Sequence, residues 1–182
     1  QEVCHVPAPD GIDYQKEGVI ISDGDIGCYS RPETGNHILV GSEDPECDER
    51  EYVDPDNYDT GFTKQWAAQA MREAQRIEGL RVPNQMQGVV DLYDVSDDWI
   101  PIYDKSDLPG FYMAIGTSGN QYKNAPVAGV MMADLIDKVE AGHDHDQNPL
   151  QFYMKHTKRS FNVGFYSRLR KINPDSSFSV IG

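Results

Sequence analysis

No stretch of the 182 residues approaches the ~18–20 consecutive apolar positions that a membrane-spanning helix needs, so no transmembrane segment is expected. Positive charge is scarce. Sixteen Lys and Arg stand against thirty Asp and Glu, a formal net charge of −14 with an isoelectric point near 4.6. A surface of that sign repels phosphate backbones and anionic lipid heads, which excludes nucleic acid and membrane surfaces as natural partners. Cysteine is rare too. Cys4, Cys28 and Cys47 are odd in number, far apart and in no CxxC arrangement, so a disulfide framework is not expected and a reducing, cytoplasmic setting is. The opening Gln1-Glu2-Val3-Cys4-His5 lacks the charged and apolar regions of a signal peptide, and position 1 is not Met. We therefore expect residue 1 to be a cut. Removing Tyr from the apolar class and adding the 16 Gly gives about 41 % apolar, slightly below the ~45–50 % usual for globular chains. Ten per cent aromatic residues and distinct apolar runs still argue for a folded chain.

What is present reads as strands and helices in alternation, without internal repeats. Val19-Ile20-Ile21 comes first. Gly27-Cys28-Tyr29-Ser30-Arg31-Pro32 and His37-Ile38-Leu39-Val40-Gly41 then flank a turn at Glu33-Thr34-Gly35-Asn36 and predict an antiparallel hairpin. Ser42 to Asp59, dense in Asp, Glu and Pro, predicts a solvated loop. Lys64 to Glu78 predicts a helix burying Ala67, Ala70, Met71, Ala74 and Ile77, with Gly79 as its stop. Gly88–Val95, Trp99–Tyr103 and Gly110–Gly116 predict three short strands split by turn-rich segments. A helix follows from about Ala125 to Val139, with Pro126 accommodated in its first turn. The tail, Pro149 to Gly182, carries Lys155, Lys158, Arg159, Arg168, Arg170 and Lys171 among aromatics and is expected to dock on an absent domain, another subunit or an acidic face of its own chain. The order predicts an α+β fold with an antiparallel sheet.

The stretch from Gly110 to Ile136 holds the most chemical information. Gly116 and Gly119 allow a tight turn and close backbone approach to a ligand. Free N–H groups of Gly119–Lys123, with the positive end of the next helix, suit an anionic or electron-rich group, although most such turns serve only as caps. His143-Asp144-His145-Asp146 offers metal-ligand residue types, but alternating residues in a loop after a helix rarely close a site, so no metal is expected. Glu43 to Asp59 lacks the glycine and terminal glutamate spacing of a calcium loop.

The run Asp91-Leu92-Tyr93-Asp94-Val95-Ser96-Asp97-Asp98-Trp99-Ile100-Pro101-Ile102, the run Gly110-Phe111-Tyr112-Met113-Ala114-Ile115-Gly116-Thr117-Ser118-Gly119-Asn120-Gln121-Tyr122-Lys123 and Ala125-Pro126-Val127-Ala128-Gly129 together resemble the C-terminal signature of the FAD-dependent D-amino-acid oxidase superfamily, which includes sarcosine oxidase, glycine oxidase and dimethylglycine dehydrogenase. Cys28–Gly35 and Ile38–Gly41 resemble its substrate-domain hairpin. The likeness spans roughly residues 18 to 139. These enzymes begin with a strand, a GxGxxG turn and a helix that hold the ADP half of FAD, and no GxGxxG occurs here. The resemblance thus implies a C-terminal part of such an enzyme: 18–90 substrate-domain-like, 91–140 the flavin-contacting strand–loop–helix, 147–182 a tail, and an N-terminal FAD-binding domain or partner subunit elsewhere.

Carried over by position, the resemblance puts Gly116, Thr117, Ser118, Gly119, Asn120 and Gln121 along the pyrimidine edge of the isoalloxazine, where donors stabilise the charge of the reduced ring. Lys123 matches a lysine that binds the substrate carboxylate in the sarcosine-oxidase branch, and the resemblance also makes it a cofactor-binding residue whose ammonium beside the ring favours the anionic reduced flavin. Tyr93 matches a position held by tyrosine there and by a carboxylate-binding arginine in glycine oxidase. Tyr29 and Arg31 are further pocket residues, although Arg31 can equally pair with Glu33 or Asp25 and Tyr93 can simply be a packed aromatic. Asp91 stands where some sarcosine oxidases carry a flavin-linking cysteine, so no covalent link is expected there. Leu39 stands where sarcosine oxidase carries an oxygen-activating lysine, which leaves a dehydrogenase open. The implied activity is oxidation of an amine or N-methyl amino acid, sarcosine- or glycine-like, to an imine by hydride transfer to flavin; the alternative is a non-catalytic subunit or interaction module that keeps the fold without flavin.

Overall fold

Strand alternation decides which side chains of the first sheet are buried. In the computed structural model, which describes residues 1–48 and 50–180, the chain divides into two compact units, Gln1–Leu92 and Tyr93–Gly182. Glu49, Ile181 and Gly182 lie outside the described residues, and with them one position of the acidic stretch and the last two of the predicted tail. The first unit orders β1 (Glu2–Pro7), α1 (Tyr14–Glu17), β2 (Ile21–Asp23), β3 (Cys28–Glu33), β4 (His37–Ser42), α2 (Lys64–Glu73) and β5 (Gly88–Val90). Its strands form one antiparallel sheet in the order β2-β3-β4-β1-β5. Cys4, Val6, Cys28, Ile38 and Val40 point to one face and pack with Trp66 and Ala70 of α2. The predicted hairpin is β3–β4, turned by consecutive left-handed residues Gly35 (φ +71°) and Asn36 (φ +57°). Asn36 also fastens α1, accepting from the Tyr14 amide at 2.8 Å and donating to the Ile12 carbonyl at 2.9 Å.

Three predicted elements of this unit shift. Ile20 is 78 % exposed, and only Ile21–Asp23 of that apolar run pairs as a strand. The helix ends at Glu73 rather than Glu78; Ala70 is buried and Ala67, Ala74 and Ile77 pack against the core as predicted, with Trp66, Gln69 and Glu73 buried beside them, while Met71 is 54 % exposed. Of Gly88–Val95, only Gly88–Val90 forms a strand, and it pairs with β1 rather than with the strands that follow it in sequence. The interior strand β1 carries Glu2 on its buried face and His5 on the other, so hydropathy alone does not reveal it. Glu2 is buried because it organises the start of α2: the Thr63 hydroxyl and amide donate to its carboxylate at 2.5 and 3.0 Å, and Thr63 Oγ1 accepts from the Gln65 amide. At the sheet's edge the Trp66 indole N–H reaches the Gln87 carbonyl at 2.8 Å. Burial pushes the Cys4 and Cys28 thiols up to about 12 and about 11, so both stay protonated and act as packing residues.

The second unit pairs β6 (Ile102–Lys105) with β7 (Tyr112–Ile115), continues into α3 (Ala125–Glu140), and closes with β8 (Gln151–Met154) paired to β9 (Arg159–Asn162). Tyr103, Met131, Leu135, Leu150, Phe152 and Val163 form its core. The fold is α+β with antiparallel sheets throughout. Of the places expected for the tail, its Arg168 and Arg170 take acids of its own chain. The tail folds as a hairpin and a 3-10 turn (Val163–Tyr166). Arg170 clamps the buried Asp98 at 2.5 Å, holding that carboxyl well below the usual range. Arg168 spans Asp104, Asp107 and Asp146. The His143–Asp146 segment differs from the predicted solvated loop, because His145 is fully buried. The Leu150 amide donates to its Nδ1 at 3.1 Å, which leaves the proton on Nε2, 3.6 Å from Asp104 Oδ1.

Two outcomes follow from these buried charges. Arg168→Met strips the guanidinium from the buried Asp104 carboxylate and is expected to cost about 3–5 kcal/mol in urea unfolding of this unit, against ~0.5 kcal/mol or less for Met at the exposed Arg159. Burial lowers the His145 pKa despite the nearby Asp104 and Asp146 carboxylates. The unfolded chain therefore takes up this proton first, and stability that is full above neutrality declines as pH falls below about 6.5. The lowered carboxyls Asp98 and Asp146 contribute stability lost only in the carboxylate range and beneath it, so the windows separate. His145→Gln should flatten the profile between pH 7 and 5, on the order of one pH decade either side of the His midpoint; a wild-type profile already flat there would overturn the reading.

Candidate functional site

The loop between β7 and α3 is held by one carboxylate. Gly116 donates its amide to Asp94 Oδ2 at 2.8 Å, the Thr117 hydroxyl reaches Asp94 Oδ1 at 2.5 Å, and the Ser118 amide donates to the Asp94 carbonyl at 2.9 Å. Burial pushes the Asp94 carboxyl up, but the Thr117 hydroxyl and the loop amides outweigh it and hold the group below the ordinary carboxylate range. Gly116, Ser118 and Gly119 all have left-handed φ (+66°, +51° and +77°), and for Ser118 that geometry costs about 1–2 kcal/mol. A Cβ at Gly119 would lie 2.9 Å from the Tyr93 ring, so the glycine lets the loop close onto that aromatic. Tyr93, Gly116, Thr117, Ser118 and Gly119 thus lie together around Asp94.

The second half of the loop faces outward. Gly119 is exposed, Asn120 and Gln121 are half-buried, and among the described residues the Gly119 and Gln121 amides have no backbone or side-chain acceptor. Gln121 Oε1 accepts from Tyr103 Oη at 3.2 Å and from Asn124 Nδ2 at 3.0 Å. Asn124 thereby leaves α3 without a side-chain cap, and the preceding 3-10 turn leads directly into the helix, the Ala125 amide donating to the Tyr122 carbonyl. Lys123 sits exposed on the 3-10 turn Tyr122–Asn124 that leads into it, with no carboxylate partner among the described residues.

Tyr29 and Arg31 belong to the first unit. Alternation along β3 places them on the sheet face opposite α2, in cross-strand rows Val3–Gly41–Tyr29 and His5–Leu39–Arg31. The Tyr29 ring lies over Gly41, where any Cβ would fall 2.4 Å from it. Arg31 stands 3.7 Å from Glu33, the pairing that the sequence leaves open. Sequence reasoning missed Asp94, which is signalled only by being an acid beside Tyr93 at a segment with no regular structure. Among the described residues no three His, Cys, Asp or Glu side chains gather at metal-binding spacing, and no helix is long and apolar enough to cross a membrane.

A family model of FAD-dependent oxidoreductases, DAO, matches residues 1–135, nearly three quarters of the chain. The chain belongs to that family. Neither the comparison with curated proteins nor that with solved structures produces a match. The matched range includes the whole sheet of the first unit, Tyr93, Asp94, the loop and most of α3. Family membership carries FAD dependence and oxidoreductase chemistry with it.

Asp94→Ala removes two donors' acceptor at once. With charge-assisted hydrogen bonds worth roughly 1.5–3 kcal/mol, hydrogen exchange at the Gly116 amide should quicken by about ten- to a hundredfold, while the Met131 amide in α3 stays protected. Gly119→Ala should loosen the same loop, at a cost of about 1–3 kcal/mol, because it meets both the left-handed φ and the Tyr93 ring. Unchanged exchange in both variants would show that Asp94 and Tyr93 do not hold the loop.

Proposed function

We propose that this chain contributes the flavin-contacting loop and the substrate-facing sheet of an oxidoreductase acting on an amine or N-methyl amino acid of sarcosine- or glycine-like type. The observation that carries the reading is the pair of amides at Gly119 and Gln121 with no acceptor among the described residues, on a loop pinned by Asp94 and set before α3, whose start has no side-chain cap. N–H donors and a helix N-terminus suit the N1–C2=O rim of an isoalloxazine, which accepts hydrogen bonds and gains negative charge on reduction. These residues therefore fit the pyrimidine end of FAD. They do not fit its ADP half, for which the 182 residues contain no GxGxxG turn. We assign that half to an N-terminal FAD-binding domain or a partner subunit. The outward face of α3 supports this, since Val127 and Val130 are exposed and Tyr122 just before them is 97 % exposed.

When bound, the flavin supplies hydride acceptance from the C–H next to the substrate nitrogen. The chain's own residues do the rest. The Gly119 and Gln121 amides orient the ring and favour its reduced state. Lys123 offers an unpaired ammonium for the substrate carboxylate. Tyr93, packed on Gly119, fixes the loop's height and presents a phenol beside it. Tyr29 and Arg31 present a phenol and a guanidinium from the sheet of the first unit. Leu39, at the position the resemblance links to oxygen activation, is apolar and only 6 % exposed, which favours an acceptor other than oxygen.

Colour tests the reading first. Purified with whatever sequence adjoins it in the natural reading frame, the protein should show bound-flavin absorbance; a colourless protein that takes up no FAD would make it a non-catalytic subunit or interaction module. Since the amine must be neutral for its lone pair to assist, kcat/KM should climb with pH from acid to alkaline. Lys123→Ala should raise KM for an N-methyl amino acid by about ten- to a hundredfold, the worth of a charge-assisted hydrogen bond, with flavin content retained; an unchanged KM removes Lys123 from that role.

A further inference from the structure

Charge is sorted along the chain into two opposite blocks. From Glu43 to Asp59 the sequence carries nine acids and one base, Arg50; from Gln147 to Pro174 it carries six Lys and Arg and no acid. Folding spends only part of each block. Arg168 and Arg170 go to Asp98, Asp104, Asp107 and Asp146. Lys155, Lys158 and Arg159 are left exposed at the tip of the β8–β9 hairpin, with no acidic partner among the described residues. The loop between Met154 and Arg159 is closed by the Lys158 amide, which donates to the Met154 carbonyl at 2.9 Å. Lys158 takes a left-handed φ of +55° there, a place that Gly or Asn fills more readily. A lysine in that place keeps the tip charged, and every residue from Lys155 to Ser160 is exposed. In the acidic block, Glu43 and Asp44 are tied to Ser22 and Gln1, and Asp48 to Arg72. Glu51, Asp54 and Asp56 remain exposed without a cationic partner among the described residues, and they flank Tyr52, which is 73 % exposed.

We propose that the cationic hairpin tip docks on the acidic segment around Tyr52 of a second copy of this chain. Three unspent cations meet three unspent carboxylates, and Tyr52 adds an aromatic face on which a guanidinium or ammonium can rest. A second copy is the occupant because the complement lies in the same sequence: each copy supplies both halves, so a two-fold pair makes the contact twice. The net charge of −14 opposes association, but the distances decide which effect wins. At ~0.1 M salt, charges more than about 10 Å apart are screened, so the bulk of each copy repels weakly while pairs in contact keep their attraction. Exposed ion pairs are individually weak, which makes this a transient association and not an obligate dimer. The contact uses neither the loop at Gly119 nor Lys123, and it holds whether or not flavin is bound.

Sedimentation velocity of the full chain, followed from micromolar to near-millimolar concentration, tests the contact. The weight-average mass should rise with concentration at ~0.1 M salt, and the association constant should fall about tenfold at ~1 M, where the screening length is about 3 Å. Lys155→Glu with Lys158→Glu, and separately Glu51→Lys with Asp54→Lys, should each leave a monomer with an unchanged melting temperature, since all four positions are exposed. Lys138→Glu with Lys171→Glu lowers the net charge as much as the hairpin pair does, at exposed sites elsewhere, and should associate as the parent does. Mixing the hairpin variant with the acidic-segment variant should restore association, although both remain net negative. A monomer at every concentration and salt overturns the proposal, and so does association kept by either reversed variant or a mixture that stays monomeric. Flavin-free and flavin-loaded protein should associate alike, so a failed contact and a failure to bind flavin are read separately.

Discussion

Asp94 is the constraint on which the loop depends. Three consecutive residues, Gly116, Thr117 and Ser118, give a donor to this one aspartate, through both carboxylate oxygens and the carbonyl. Left-handed backbone at Gly116, Ser118 and Gly119 is unfavourable for an unrestrained chain, most of all at Ser118. The donors recover what the backbone loses, and the result is a rigid turn whose inner half is satisfied and whose outer half is not. Unspent amides at Gly119 and Gln121 are therefore a consequence of geometry: a turn that spends Gly116, Thr117 and Ser118 on Asp94 presents the following N–H groups outward. Electrostatic stabilisation works best when the donors are already in place, and this loop meets that condition before any ligand arrives.

Much of this was legible in the sequence, for identifiable reasons. The hairpin at Gly35-Asn36 announces itself because left-handed turns are restricted to few residue types, and α3 does because Met131 and Leu135 repeat at helical spacing after Pro126. The position of the loop followed from its glycines and from family resemblance. Its anchor did not, because Asp94 lies 22 residues upstream of Gly116 in a segment without regular structure, and sequence spacing carries no record of that closure. The same limit hid β1. Its two-residue period is intact, but Glu2 takes an inward position to serve Thr63 and His5 an outward one, so hydropathy reads as noise where the alternation is real. The α2 face was legible from Ala67, Ala70, Ala74 and Ile77, which lie in or against the core, but not its polar members: Gln69 and Glu73 are buried on it, and the apolar Met71 is left in solvent.

Charge divides the molecule in a way that the net value conceals. In the second unit the buried acids Asp98 and Asp104 and the half-buried Asp146 are matched by Arg168, Arg170 and Lys105, so two arginines of the tail serve as internal counterions. Breaking such a match costs far more than forming an equivalent surface pair gains, so this tail is fixed by its charges as much as by Phe152 and Val163. Exposed acid is concentrated in the loop from Glu46 to Asp59 of the first unit. Against that background the few basic groups without an internal partner stand out. Lys123 has none among the described residues, and Arg31 has only the distant, already occupied Glu33. In a chain of net charge −14, a cation left over after internal pairing favours anions locally against the prevailing field, and Lys123 on the turn before α3 is such a cation, as are Lys155, Lys158 and Lys171 of the tail among the described residues.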